Sequence, residues 1–299
     1  MTIITQNAFI SIVTFIFVLI FLSGCEPKDD PNLVPSYLHI EKIDLTAEFA
    51  QGSASSNISD AWVYIDDQFI GSYELPATIP ILTQGRQNLV VRAGIKLNGI
   101  GSTRSAYPFY TEIKREINFV RDSVITLHDA TVSYHERVIF PWMENFELAG
   151  FSVDTTSKSD VDILKTNDPS MTFPGYGDSF AGFVQLTADS SVFEVVTNEK
   201  FTFPGNGSSI FLEMDYNINH PMVVGVFYTS SGLRVQRPLI VLNETNAWNK
   251  VYVNLSVPKY DTPNATDFQI FFGAQKESTT NDAKFLIDNL KLVHFNNSK

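Results

Sequence analysis

One thiol, five imidazoles and a surplus of carboxylates are the reactive groups of this sequence. The thiol, Cys25, has no second cysteine to pair with, which excludes a disulfide framework and a cysteine-built zinc site. His39, His128, His135, His220 and His294 are scattered, and none falls in an HExxH pattern. His128 and His135 are seven positions apart, so a single strand through both would turn them to opposite faces. The carboxylates are too many for sequence alone to exclude a glycosidase pair. Neither a P-loop nor a glycine-rich phosphate loop is present. Trp142, Tyr176, Tyr216, Tyr228, Trp248 and Tyr260 are the material of sugar-stacking platforms and equally of β-sandwich cores. Tyr176 lies in a Gly- and Pro-rich loop and suits a platform. Trp248 opens a strand and suits a core, yet both stand as candidate ligand contacts.

The position of the thiol is informative. Ala8 to Leu22 is a run of 15 uncharged residues, whereas a spanning helix needs about 20 apolar residues and a signal-peptide core roughly 7–15. Leu22-Ser23-Gly24-Cys25 then resembles the bacterial lipobox, although no Lys or Arg precedes the apolar run. The resemblance implies a signal peptide over 1–24 and a covalent lipid on Cys25, which anchors the chain to a membrane. A plain signal peptide or an uncleaved anchor is the alternative. The Pro-rich, polar stretch 25–35 reads as a tether. Within it Lys28-Asp29-Asp30 resembles the export signal of Bacteroidota surface lipoproteins, which implies the outer membrane, facing the exterior.

Behind the tether few segments keep helical periodicity; most alternate or run briefly apolar between Gly, Pro, Asn and Asp. The pattern predicts an all-β chain. It comprises a small Ig-like β-sandwich over 36–138 and a β-jelly roll over 139–299. Pro76 and Pro80 are expected to break the chain, and Trp248–Val257 to form one strand. Val63 to Asp67, Gly71, Pro76, Gly85 and Val90-Val91 resemble a PEGA-type module, a non-catalytic spacer and interaction unit. The stretch Gly94–Tyr110, with three glycines in its first half, resembles a segment of Bacteroidota lipoproteins and looks shaped to fit against something.

Phe285-Leu-Ile-Asp-Asn-Leu-Lys-Leu292 resembles the closing strand of galactose-binding-like jelly rolls and carbohydrate-binding modules. In these an opening Phe-Glu and the Asp of the closing strand often share a structural calcium. Phe146-Glu147 and Asp288 stand at those positions, so the resemblance implies Glu147 and Asp288 as calcium ligands. Gly177-Asp178-Ser179 matches the first block of GDSL-type hydrolases, but it follows a loop, and Asp288 and His294 are six apart rather than about three. Ser179 is therefore expected to be a loop residue.

With 21 basic against 33 acidic residues the chain has a net charge of −12, which argues against nucleic acid as a partner. The expectation is a non-catalytic surface lipoprotein. Its first reading is an accessory subunit that docks on an outer-membrane protein complex for assembly, transport or secretion. The alternative is a lipoprotein that captures polysaccharide, which requires aromatic side chains lined up on one exposed face or loop rim.

Overall fold

A computed structural model describes residues 34–174, 179–205, 207–276 and 282–296. Cys25, Lys28-Asp29-Asp30 and Tyr176 lie outside the described residues. The fold is all-β, in two packed parts, as the residue pattern implies. Among the described residues no helix is long and apolar enough to cross a membrane.

The first part holds β1 (Ser36–Ile40), β2 (Asp44–Thr46), β3 (Asp60–Ile65), β4 (Gln68–Glu74) and β5 (Ala77–Ile81). It continues with β6 (Gly85–Lys96), β7 (Arg104–Ala106), β8 (Ile113–Phe119), β9 (Val124–Thr126) and β10 (Thr131–Ser133). In one sheet β3 lies between β4 and β6, and β7 and β8 share the far edge of β6. A second sheet has the order β5-β1-β9, and β10 pairs with β2. The alternation of β3 explains its placement. Ala61, Val63 and Ile65 enter the core with Leu38, Ile40, Ile79 and Val91, while Trp62 and Tyr64 point to the other face. Asp66 and Asp67, both at positive φ, turn β3 into β4, the geometry of a tight hairpin. Pro80 does not break the chain. It lies inside β5, an edge strand, where a missing N–H costs no ladder bond.

The second part is a sandwich of two sheets. Its strands are β11 (Val138–Glu144), β12 (Val153–Thr155), β13 (Leu164–Thr166), β14 (Ala181–Leu186), β15 (Val192–Thr197) and β16 (Ile210–Ile218). They continue with β17 (Met222–Ser230), β18 (Leu233–Leu242), β19 (Asn249–Asn254), β20 (Phe268–Gln275) and β21 (Ala283–Phe295). One sheet runs β13-β14-β21-β16-β19, with β11 beside β14 on the same edge of β21. The other runs β12-β15-β20-β17-β18. The expected strand through Val257 stops at Asn254, and α1 (Ser256–Asp261) follows. His128 and His135 do not share a strand, because β10 occupies only Thr131–Ser133 between them.

Strand β16 is buried on both faces. Ile210, Leu212, Met214, Tyr216 and Ile218 fill the sandwich core, but Phe211, Glu213 and Asp215 on the opposite face are also inaccessible. A half-solvated antiparallel sheet would expose that second set. Here the first part covers it. Tyr107, Phe109, Tyr110 and Tyr134 pack against Phe211, Tyr252 and Val293 as one cluster. This accounts for Gly94–Tyr110. The Asn98 amide donates to the Tyr252 carbonyl at 2.9 Å, and its side-chain oxygen accepts from Asn254 N at 2.8 Å. What the segment fits against is the chain's own jelly roll.

Candidate functional site

Three sheet faces could carry a site. The first is the junction between the two parts, where strand register lays charges in two rows. Tyr252, Glu213 and Lys291 are neighbours, and Lys250, Asp215 and Asp288 lie beside them. All six are buried. Tyr107 and Tyr134 donate to the two oxygens of Glu213 at 2.7 and 2.8 Å. Lys250 Nζ stands 3.5 Å from Glu213 Oε2 and 3.9 Å from Asp215 Oδ1, and Ser55 donates to Asp215 at 2.7 Å. Lys291 donates to the Ser53 carbonyl and lies over Tyr134. Burial holds its amine down to about 8 and pushes the phenols of Tyr107, Tyr110 and Tyr134 well above the ordinary tyrosine range. No ligand can reach these groups without parting the two domains. The junction is structural.

The second face is the outer side of the β12-β15-β20-β17-β18 sheet. Its aromatics, Phe227 and Phe271, form a small cluster with Val196 and Val223 and are buried. Arg234 covers the Phe227 ring at 4.0 Å and donates to Gln269 at 3.1 Å. Glu194 accepts from Thr156 at 2.8 Å and from Gln236, whose side-chain oxygen in turn accepts from Lys158 at 2.7 Å. With Phe227 covered by Arg234 and both rings buried, this face offers no exposed aromatic ring for stacking.

The third face, the outer side of the β3-β4-β6-β8 sheet, does offer one. Trp62 stacks on Phe69 with ring centres 5.5 Å apart and planes 29° from parallel. Tyr64 meets the same Phe69 at 5.1 Å, and Arg92 lies over Tyr64 at 4.8 Å. The Trp62 ring lies close over Gly94; a Cβ there would stand 2.8 Å from the indole. Phe69 is the outermost ring, 52% exposed. Register carries the strip onward through Tyr64, Val90 and Lys114. There a depression of about 480 Å³ is lined by Asp66, Asp67, Asn88, Val90, Lys114, Arg115 and Glu116. Asp66 accepts from the Asn88 backbone and side-chain amides at 2.9 and 3.1 Å, fixing the hairpin against β6. Arg92 pairs with Glu112 at 2.7 Å, and Lys114 reaches the same carboxylate at 2.8 Å. These two cations lower the Glu112 pKa. The result is three aromatic rings beside a shallow basin in which acids, bases and an amide alternate.

The residues singled out by sequence fall elsewhere. Trp248 is half-buried against Phe173 at 5.5 Å, and its buried indole N–H has no acceptor among the described residues. Trp142 and Tyr216 are core residues, and Tyr260 stands exposed on α1. Ser179 is buried beside β14, and its hydroxyl has no hydrogen-bond partner among the described residues. Pairing of β11 with β21 joins the ends of the jelly roll and sets Glu144 opposite Leu290. Glu147 accepts from Phe180 N at 2.8 Å. Burial first, then the Asp215 and Glu147 charges, push the Asp288 carboxyl up to about 8. Glu147 and Asp288 are thus electrostatic neighbours of a donor type that suits calcium, although no group of three or more acidic, His or Cys side chains among the described residues is arranged around a metal position. The sequence contained a signal for the third face. Trp62 and Tyr64 alternate with Ala61, Val63 and Ile65, so large aromatics sit on the side away from the core.

These features define a two-domain β-sandwich protein. No family model and no curated protein matches the sequence. Solved structures align at low identity. The enzymatically active domain of a bacteriophage CBA120 tailspike protein aligns at 15% identity and a TM-score of 0.37, covering 50% of this chain and 20% of that one. The chain thus spans about a fifth of the tailspike structure. A carbohydrate-binding module of the β-sandwich superfamily aligns at 12% identity and a TM-score of 0.34, covering 79% of this chain and 85% of the module. A family 61 module solved with β-1,4-galactotriose gives 14% and 0.30, covering 49% and 89%. The architecture stands on the strand order of this chain itself.

Proposed function

We propose that the protein is a non-catalytic glycan-binding lipoprotein, held at the outer membrane by a lipid on Cys25, that captures polysaccharide at the cell surface. The carrying observation is the aromatic strip Trp62–Phe69–Tyr64 beside its polar basin. A pyranose has an apolar C–H face, which packs on an aromatic ring, and a rim of hydroxyls that both donate and accept. Phe69 supplies the ring. Asp66, Asp67 and Glu116 would accept, and Asn88 and Lys114 would donate. Their mixed charge suits hydroxyls better than a polyanion. One motive of the docking reading, the Gly94–Tyr110 segment, is taken up by the chain's own second domain. Calcium at Glu147 and Asp288 belongs to this reading as a structural ion that ties the ends of the jelly roll together.

Affinity electrophoresis of the full protein through gels carrying neutral and acidic polysaccharides tests the reading. At least one neutral polysaccharide is expected to retard it. Phe69→Ala and Tyr64→Ala should each weaken retardation about tenfold, in line with one lost stacking contact. Trp248→Ala should leave it unchanged. Retardation by no polysaccharide, or full retardation of Phe69→Ala, refutes it.

A further inference from the structure

The end of the first domain at which the described chain begins carries a group of exposed apolar side chains, with the charged Arg121 and Asp122 between two of them. Val34 precedes β1 and is 43% exposed. Around it stand Leu82, Val120 and Val124, exposed by 57%, 53% and 65%. Hydrogen bonds fix this grouping. Asp122 N donates to the Pro35 carbonyl at 3.0 Å, and Tyr37 N donates to the Ser123 carbonyl at 2.8 Å, so the turn 120–124 lies against the start of β1. On the other side Ser36 pairs with Ile81, which places Leu82 beside Pro35. Register then sets Val124, Tyr37 and Pro80 side by side across β9, β1 and β5, on the face opposite the core residues Leu38 and Ile79. The grouping joins four exposed apolar residues from three segments of the chain. Val257 and Tyr260, one turn apart on α1, form a smaller pair on the second domain, and Phe49 and Leu233 lie on the loop before β3 and in the β17–β18 turn.

We infer that this rim, Val34, Leu82, Val120 and Val124 with Tyr37 and Pro80, rests on the surface of the lipid bilayer. The inference rests on the lipid anchor proposed above. Cys25 precedes Val34 by nine residues, so an acylated Cys25 holds the rim within about 30 Å of the bilayer, the reach of nine extended residues. Among the described residues, these are the exposed apolar side chains nearest in sequence and strand register to the tether's exit. Attraction to anionic headgroups cannot supply the contact, because the chain is strongly acidic. Valine, leucine, tyrosine and proline side chains can supply it by entering the headgroup boundary. The rim would fix the orientation of the body. Both domains would rise from the bilayer in the order rim, basin, aromatic strip, jelly roll, since β6 runs from Gly85 at the rim, past Asn88 and Val90, to Lys96 beside the jelly roll.

The test uses the full lipidated protein in vesicles of phosphatidylethanolamine and phosphatidylglycerol. Acylated Cys25 leaves no native thiol, so Val124→Cys and, as a remote control, Leu233→Cys can each carry an environment-sensitive fluorophore. The expected result is a blue-shifted Val124→Cys emission, quenched several-fold more by nitroxide lipids than that of Leu233→Cys. Equal exposure of the two labels to an aqueous quencher overturns the inference. So does a shift that follows protein density rather than lipid, which would assign the rim to a second copy. Hydrogen exchange of residues 120–124 in the unsubstituted protein, with and without vesicles, gives the same reading without a substitution; slowing by vesicles supports the contact, and unchanged exchange overturns it. Intact mass separates the two levels. A lipidated protein with an exposed rim refutes only the contact, whereas an unmodified Cys25 refutes the anchor and the contact with it.

Discussion

Tyr107 in the first domain donates its phenolic hydrogen to Glu213 in the second at 2.7 Å, and both residues are buried. With Tyr134 on the other carboxylate oxygen, each domain completes the hydrogen bonding of the other. Removing one donor leaves a buried carboxylate short of a partner, which costs about 1–3 kcal/mol. Tyr107→Phe is therefore expected to lower the melting temperature by several degrees, at about 2–4 °C per kcal/mol for a chain of this size. The two domains should still melt together, because the surrounding aromatic packing is retained. Calorimetry of the single variant checks this; an unchanged melting temperature would show that the bond contributes nothing to the junction.

Lys291 gives the junction a pH dependence. Its amine is held down to about 8 by burial, with Glu213 and Asp215 raising it and Lys250 lowering it further. A free lysine titrates near 10.4, so between about 8 and about 10.4 the unfolded chain binds a proton that the folded one has released. Stability contributed by this group therefore rises with pH across that window. Above about pH 10 the sign reverses. Tyr107, Tyr110 and Tyr134 keep their protons in the folded state and lose them in the unfolded one. Urea unfolding from pH 7 to 11 should show the rise followed by the fall. Lys291→Met should remove the rise and keep the fall.

Most jelly-roll strands were legible as short apolar runs between Gly, Pro, Asn or Asp, whereas β12 and β13, three residues each with a charged residue at the centre, carry no such signal. The faces were not legible. In β16 the sequence Ile-Phe-Leu-Glu-Met-Asp-Tyr reads as a strand with one wet side, and only the arrival of Tyr107 and Tyr134, some eighty to a hundred residues away, turns that side into an interior. Two of the aromatic candidates turn inward for a related reason. Trp142 and Tyr216 have the right chemistry for stacking, but composition does not say which side of a strand faces water. Trp62 and Tyr64 were decidable from alternation alone. Phe69 was not, because its contact with Trp62 depends on the irregular register of the β3–β4 hairpin.

Gly225 marks a point where backbone approach leaves no room. A Cβ there would lie 2.4 Å from the Arg237 carbonyl oxygen and 2.5 Å from the Phe271 ring. The ring can turn, but the carbonyl belongs to the β17–β18 ladder and can move only with the strand. Gly225→Ala is expected to destabilise the jelly roll by about 1–3 kcal/mol, the ordinary cost of overpacking. Gly205→Ala is the control, because nothing lies within 4 Å of its would-be Cβ. Equal denaturation midpoints for the two variants would contradict the close approach.

The calcium proposed at Glu147 and Asp288 turns on how a nearly inaccessible carboxylate is tolerated. Asp288 accepts from Asn289 N at 2.6 Å, while Asp215 and Glu147 act on it only by repulsion. A divalent cation would convert that repulsion into shared attraction and would hold the opening of the jelly roll to its closing strand. Binding to the folded state alone raises stability by mass action, about 2.7 kcal/mol at a hundredfold excess over Kd. The melting temperature is therefore expected to rise on adding calcium to chelator-treated protein, and to fall back when a chelator is added. Glu147→Gln should fold, since Glu147 is on the surface, but should lose most of the calcium response. A response retained in Glu147→Gln would move the ion away from this pair. No response in the unsubstituted protein would leave Asp288 as a neutral acid, kept so by burial and by the two carboxylates beside it.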